Sequence, residues 1–237
     1  MTEERFVAIE GVNYPVLISD EYQALQAALA AGRAVVELIM GSGPMSGVPF
    51  AVERLEEADG DYLERVVRRA LNMPWIIGET RRLMIREFCM EDIKSVRKEP
   101  EDTEDDRIFY TADKLEAYIK NQYGFYQYGI WALVEKCSGT LVGMAGLTDK
   151  NGEEWDGETV RLELGYHIFE PYRRNGYGVE ACQKILDYAD ENICRKIWAE
   201  IESGNLASIS LIKKLGFKLV SQRYSEEGRC SFLYARN

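Results

Sequence analysis

The sequence predicts an α/β protein in two parts, a small domain over residues 1–78 and a larger one over residues 79–237. Three observations carry this reading. A strand–helix–strand pattern occupies residues 14–39. A second strand, alternating from Val160 to Ile168, runs through a basic glycine loop into an amphipathic helix. Between the two, basic-residue usage changes: Lys94 is the first lysine, and Pro74 and Gly78 break the chain shortly before it.

In the first part, Tyr14–Ser19 is mostly apolar with β-branched residues, and Asp20 is placed to cap a helix through Ala24–Ala31. Gly32 ends that helix, and Ala34–Met40 is an apolar run suited to a buried parallel strand. Phe50–Glu53 reads as a short third strand, and Asp59 or Asp61 as the cap of a helix through Leu71. The stretch VLISDEYQALQAALAAGRAVV resembles the second half of a haloacid-dehalogenase-type Rossmannoid domain. The nucleophile motif of that family, D-x-D after an apolar strand, is missing, since Asp59-Gly60-Asp61 starts a helix. The domain therefore reads as a non-catalytic accessory. Gly41–Gly47 lacks the Lys-Ser/Thr of a phosphate loop, and Pro44 removes one amide, so a plain connection is expected.

Composition excludes several function classes. A 46% hydrophobic, 29% charged chain is globular, and a net charge of −11 disfavours nucleic acids and anionic membranes as partners. Residues 1–78 hold six Arg against twelve Asp/Glu, so about half of that charge sits in the accessory part. His167 is the only histidine, and the five cysteines form no C-x-x-C pair, so no metal site is expected. No apolar run reaches the length of a membrane span, nothing near Met1 resembles a signal-peptide core, and a cytoplasmic location is expected.

The chemistry lies in residues 159–192. Even positions from Val160 to Ile168 are apolar, and Arg161, Glu163, Gly165 and His167 form the opposite face. Pro171 helps end the strand, and Arg173-Arg174-Asn175-Gly176-Tyr177-Gly178 leads into a helix with Val179, Cys182, Ile185, Leu186 and Ala189 on one side. A strand, a basic glycine loop and a helix N-terminus together make an anion trap, because the first helical amides lack intrahelical partners and the helix dipole is positive there. Gly176–Ala181 also fits G-x-G-x-x-A, with Glu200 or Glu202 some way downstream, but a dinucleotide fold places its first glycine directly after the strand. Here Glu170–Asn175 intervene.

These residues resemble the GNAT N-acetyltransferase superfamily. R-R-N-G-Y-G fits its R/Q-x-x-G-x-G/A pyrophosphate loop, and Asn205–Val220 (NLASISLIKKLGFKLV) resembles its second signature. Glu79–Ile93 (ETRRLMIREFCMEDI) resembles the opening strand and helix of the ribosomal-protein alanine acetyltransferase (Rim-type) branch. The resemblance implies an acyl-CoA N-acyltransferase fold with a mixed central sheet over residues 79–237, transferring acetyl from acetyl-CoA to an amine by direct attack. A non-catalytic acyl-CoA sensor is the alternative.

By the same resemblance, backbone amides of His167, Ile168 and Phe169 align the pantetheine, and Arg173, Arg174, Asn175, Gly176, Tyr177 and Gly178 hold the pyrophosphate. Asn205 and Ser208 contact the cofactor side, Asn205 also serving as a helix cap. Glu163 is the first candidate for general base, His167 its rival on the same face. Ile212 occupies the place where many members carry the tyrosine that protonates the thiolate, leaving Tyr224 or Ser208 as substitutes. The acidic run Glu99–Asp106 borders the expected acceptor side and suits a cationic amine or a peptide N-terminus. Trp131 and Trp155 read as core or rim aromatics rather than a substrate cage.

Overall fold

The computed structural model describes residues 1–41, 47–100, 106–155, 158–225 and 228–236, with the side chains of residues 151–161 outside that description. The glycine-rich connection at 41–47 and the acidic run at 99–106 therefore fall largely outside the described residues. The chain divides into two compact units, Met1–Trp75 and Ile76–Asn237. The division lies ahead of the expected one after residue 78, because Ile76–Glu79 is a strand paired with Leu83–Arg86.

The first unit is a four-stranded sheet ordered β1-β2-β3-β4, formed by Thr2–Ile9, Val12–Ser19, Ala34–Leu38 and Ala51–Val52. Strands β2, β3 and β4 are parallel and follow the sequence pattern. Strand β1 was not anticipated. It pairs antiparallel with β2 through Glu10-Gly11, both at positive φ, which is how a two-residue hairpin matches strand twist. Helix α1 (Tyr22–Ala30) buries Leu25 and Ala28 against Leu17 and Val35. Helix α2 (Gly60–Ala70) buries Leu63, Val66 and Val67 against Val16, Ile18 and Val36, residues of the opposite strand face. Each such side chain contributes roughly 1.5–3 kcal/mol. Asp59 caps α2 by accepting from the Tyr62 amide at 2.9 Å.

The second unit is an eight-stranded mixed sheet ordered β11-β12-β10-β9-β8-β7-β6-β5. Its strands are β5 (Ile76–Glu79), β6 (Leu83–Arg86), β7 (Ile130–Glu135), β8 (Leu141–Trp155), β9 (Glu158–Ile168), β10 (Ile197–Glu202), β11 (Lys218–Tyr224) and β12 (Cys230–Arg236). Only β9 and β10 pair in parallel; every other neighbouring pair is antiparallel. The expected opening helix is a 3₁₀ turn, Met90–Lys94, and the first α-helix of this unit is α3 (Ala112–Tyr118). Helices α4 (Tyr177–Asn192) and α5 (Leu206–Lys214) follow β9 and β10. Trp131 is fully buried and meets Tyr188 of α4 edge to face at 5.7 Å, which makes it a core residue. Among the described residues no helix is long and apolar enough to cross a membrane.

The 3₁₀ turn is anchored from β6. Arg86 donates to both Asp92 carboxylate oxygens, at 2.7 and 2.8 Å, and Asp92 also accepts from the Cys89 amide at 2.9 Å. Burial on its own raises the Asp92 carboxyl, but Arg86 and the Cys89 amide outweigh it and hold it below its ordinary value. Asp92→Ala should destabilise the protein by about 3 kcal/mol, since it strands a largely buried guanidinium. Denaturant unfolding at neutral pH measures this loss. The difference should shrink as pH falls through the lowered Asp92 value, because the wild-type carboxylate is then protonated.

Candidate functional site

The site is built where two parallel strands part. The β9–β10 ladder consists of Glu163 opposite Trp198. Beyond that rung β9 keeps its partner β8, from Leu164 opposite Leu147 to Ile168 opposite Gly143, while its other edge turns away from β10. A cleft of about 790 Å³ opens there, between the end of β9, the N-terminus of α4 and the first turns of α5.

Backbone alternation decides which β9 amides face it. The Phe169 amide donates to the Val142 carbonyl of β8 at 3.0 Å, so Phe169 belongs to the ladder, and its side chain is buried. In an antiparallel pair successive amides point to opposite edges, so Tyr166 and Ile168 direct theirs away from β8. The expected trio of amides is thereby corrected: Ile168 faces the cleft edge, and Phe169 and His167 face β8. The even positions were expected to pack inward, yet Tyr166 lines the cleft, its hydroxyl donating to the Ser208 carbonyl at 3.4 Å.

The loop that follows is held in shape by its own chain. Glu170–Tyr172 forms a 3₁₀ turn, and Arg173 Nε donates back to the Ile168 carbonyl at 2.8 Å. Arg174 is left-handed at φ +66°, a conformation costly for a residue with a side chain. Gly176, at φ +81°, precedes the first residue of α4 in a backbone shape that favours glycine. Gly178 serves packing instead: an added Cβ there would come within 2.8 Å of Leu211 on α5. No side chain caps α4, so the amides of its first turn remain available to a ligand.

Helix α5 differs, because Asn205 caps it by accepting from the Ser208 amide at 3.1 Å. Its cleft face is Ala207, Ser210, Leu211 and Lys214, spaced i, i+3, i+4 and i+7. That stripe is visible in the sequence, and it brings in Lys214, the lysine of the second signature, to which the motif reading gave no role. Ile212 faces the core and is fully buried.

Of the expected residues, His167, Ile168, Arg173, Arg174, Gly176, Tyr177, Gly178, Asn205 and Ser208 line the cleft. Glu163, Phe169 and Asn175 lie outside that lining. Asn175 shapes the loop, its side-chain amide donating to the carbonyls of Tyr172 and Arg173 at 3.2 and 3.4 Å. Glu163 accepts from the Glu200 amide at 3.2 Å and pairs with Lys150 at 3.0 Å. Burial raises its carboxyl above the ordinary value despite Lys150.

Among the described residues of the acidic run, Glu99 reaches the loop. Glu99 accepts from the Glu170 amide at 2.6 Å and from the Arg173 guanidinium, and it lies 3.0 Å from His167 Nε2. Asp106 Oδ1 stands 3.9 Å from His167 Nδ1, so both ring nitrogens face carboxylates. Arg173 is thus held by protein groups on two sides, at Ile168 and Glu99. Burial pulls the imidazole pKa down, but Asp106 and Glu99 outweigh it and keep it above its ordinary 6.5. Stability from this raised value is fully present below pH 6.5 and is lost as pH rises through the folded-state value. Thermal unfolding should therefore show His167→Gln destabilised most below pH 6.5 and converging on wild type at higher pH.

Residues 82–218 match the family model described as the acetyltransferase (GNAT) domain. The chain is 33% identical over 108 residues to the uncharacterised N-acetyltransferase YjdG of Bacillus subtilis strain 168, covering 44% of this chain and 59% of that protein. It is 34% identical over 98 residues to YkkB of the same organism, covering 41% and 54%. The chain thus spans somewhat over half the length of these curated relatives. A solved structure described as a GnaT-family acetyltransferase of Bordetella pertussis superposes with a TM-score of 0.56 at 22% identity, covering 68% of this chain and 98% of the other. The ribosomal-protein-S5-alanine acetyltransferase of Vibrio fischeri superposes at 0.53 and 13%, covering 69% and 96%. The fold of the second unit is thus shared with solved acetyltransferases, and the match over residues 82–218 shows that the protein belongs to the GNAT acetyltransferase family.

Proposed function

We propose that the cleft binds acetyl-CoA and that the protein transfers its acetyl group to a primary amine. The observation that carries this reading is the uncapped N-terminus of α4 opening onto the unpaired edge of β9. The residues present fit such a ligand. The first-turn amides of α4, with Arg174 and Lys214 on the lining, suit a pyrophosphate and its neighbouring phosphate. The outward amides of Ile168 and Tyr166 suit an amide-bearing pantetheine arm, as an added strand would be received. The cleft volume lies within the range of small-ligand sites.

Acetyl-CoA supplies an activated thioester, and what the chain must add is position, a polarised carbonyl and a sink for the ammonium proton. Glu163 is the proposed sink, acting through water from the rung where the strands part. Its raised carboxyl suits proton acceptance near neutrality better than an ordinary one. His167, set between Glu99 and Asp106, is assigned to hold the loop and cleft wall. The resemblance of Glu79–Ile93 to the Rim-type branch supports a peptide N-terminus as acceptor, and the acidic run supports a cationic one. Residues 1–78 are proposed to be a non-catalytic accessory.

Incubation with acetyl-CoA and a panel of amines and N-terminal peptides should release free thiol with at least one acceptor. CoA binding without turnover on any amine would favour a sensor. A thermal shift with NAD(P) and none with CoA would overturn the reading. Glu163→Gln should lower turnover about tenfold or more while CoA affinity stays near wild type. An unchanged pH–rate profile in that variant would remove Glu163 as the base.

A further inference from the structure

We infer that Arg82, which lies outside the cleft lining, is a positioning residue that sets the anion loop for its phosphate-bearing ligand. The inference rests on the acetyl-CoA reading above and adds to it a group from a distant hairpin. Arg82 lies in the β5–β6 turn and reaches three successive parts of the loop–helix junction. Its Nη1 donates to the Asn175 carbonyl at 2.9 Å. Its guanidinium lies over the Tyr177 ring, 4.5 Å from the centroid. Its Nε and Nη2 both lie 2.7 Å from Glu180 Oε2, and its own amide donates to Glu180 Oε1 at 2.9 Å.

Two consequences follow for an incoming anion. In a trans peptide the carbonyl and the next amide point opposite ways. Fixing the Asn175 carbonyl on Arg82 therefore turns the Gly176 amide away from Arg82 and keeps a carbonyl oxygen from facing the ligand. Glu180 sits in the first turn of α4, where its charge suits the helix dipole but repels a nearby phosphate. Arg82, with the Thr80 hydroxyl at 2.5 Å from Oε1, neutralises that carboxylate and draws it to the β5–β6 side. Tyr177 is held from its far end as well, its hydroxyl donating to Glu135. Loop shape at the α4 junction and the charge of Glu180 thus depend in part on this guanidinium.

The test compares wild type with Arg82→Ala, Arg82→Lys and Glu180→Gln, using CoA in calorimetry, thiol-release kinetics and amide exchange of residues 176–178. Arg82→Ala should weaken CoA binding by about tenfold or more. The KM for the amine and kcat at saturating acetyl-CoA should stay within about twofold, a split that a general loss of structure would not produce. Exchange at residues 176–178 should quicken. Arg82→Lys should fall between, since a single ammonium cannot serve Asn175 and Glu180 in fork geometry. Glu180→Gln, which keeps the Asn175 tether, should bind CoA at least as tightly as wild type. CoA affinity in Arg82→Ala equal to wild type, or equal losses in CoA affinity, amine KM and kcat, would overturn the inference. If Arg82→Ala fails to fold, Arg82→Lys decides: wild-type affinity and exchange would overturn it. Wild type that binds no CoA would instead sink the acetyl-CoA reading, and unchanged loop exchange in the variants would then sink the role of Arg82 separately.

Discussion

Backbone pairing between β9 and β10 is held at the rung of Glu163 and Trp198, and a side chain occupies the next position. The Glu163 carboxylate accepts from the Glu200 amide, where a ladder would have used a backbone carbonyl of β9. A buried amide without an acceptor is costly, so this substitution lets the strands separate without orphaning a donor. Separation exposes the far edge of β9 and sets the cleft between that edge, α4 and α5. Changing the rung would alter the binding edge, the loop that follows it and the helix on which the loop ends.

Charge is arranged on a finer scale than the net value of −11 suggests. Around the loop, Arg173 is taken up by Glu99 and the Ile168 carbonyl, and Arg82 by Glu180 and the Asn175 carbonyl. Each of these guanidiniums organises backbone. Arg174 and Lys214 line the cleft together with the amides of α4. Basic residues around one loop thus divide into those that organise its backbone and those that line the cleft, and a charge count does not separate them.

Much of the architecture was legible because periodicity reports burial. The strand ending at Ile168, the apolar stripe of α4 and the strand–helix–strand of the first unit all appear where the pattern puts them. Strand β1 escaped notice because Glu10-Gly11 carries a weaker turn signal than Asn-Gly. Which β9 amides face the cleft was not legible either, since that follows from the partner strand's register: Phe169 is taken by Val142. Tyr166 was misplaced because period two assumes a packed face that continues to the strand's end, and here the sheet opens first. Glu99 and Arg82 reach the loop across 74 and 93 residues of chain, distances at which local pattern carries no information.

The two helices flanking the cleft differ at their starts: Asn205 accepts from the Ser208 amide of α5, whereas α4 has no such side-chain cap. The start of α4 therefore has no side-chain cap between its first amides and a ligand, whereas α5 has one. On the proposed acetyl-CoA reading, this asymmetry favours seating the anionic end at α4, with the reactive end toward the rung at Glu163. On that reading, the direction of entry depends in part on one asparagine, whose side chain accepts from a backbone amide.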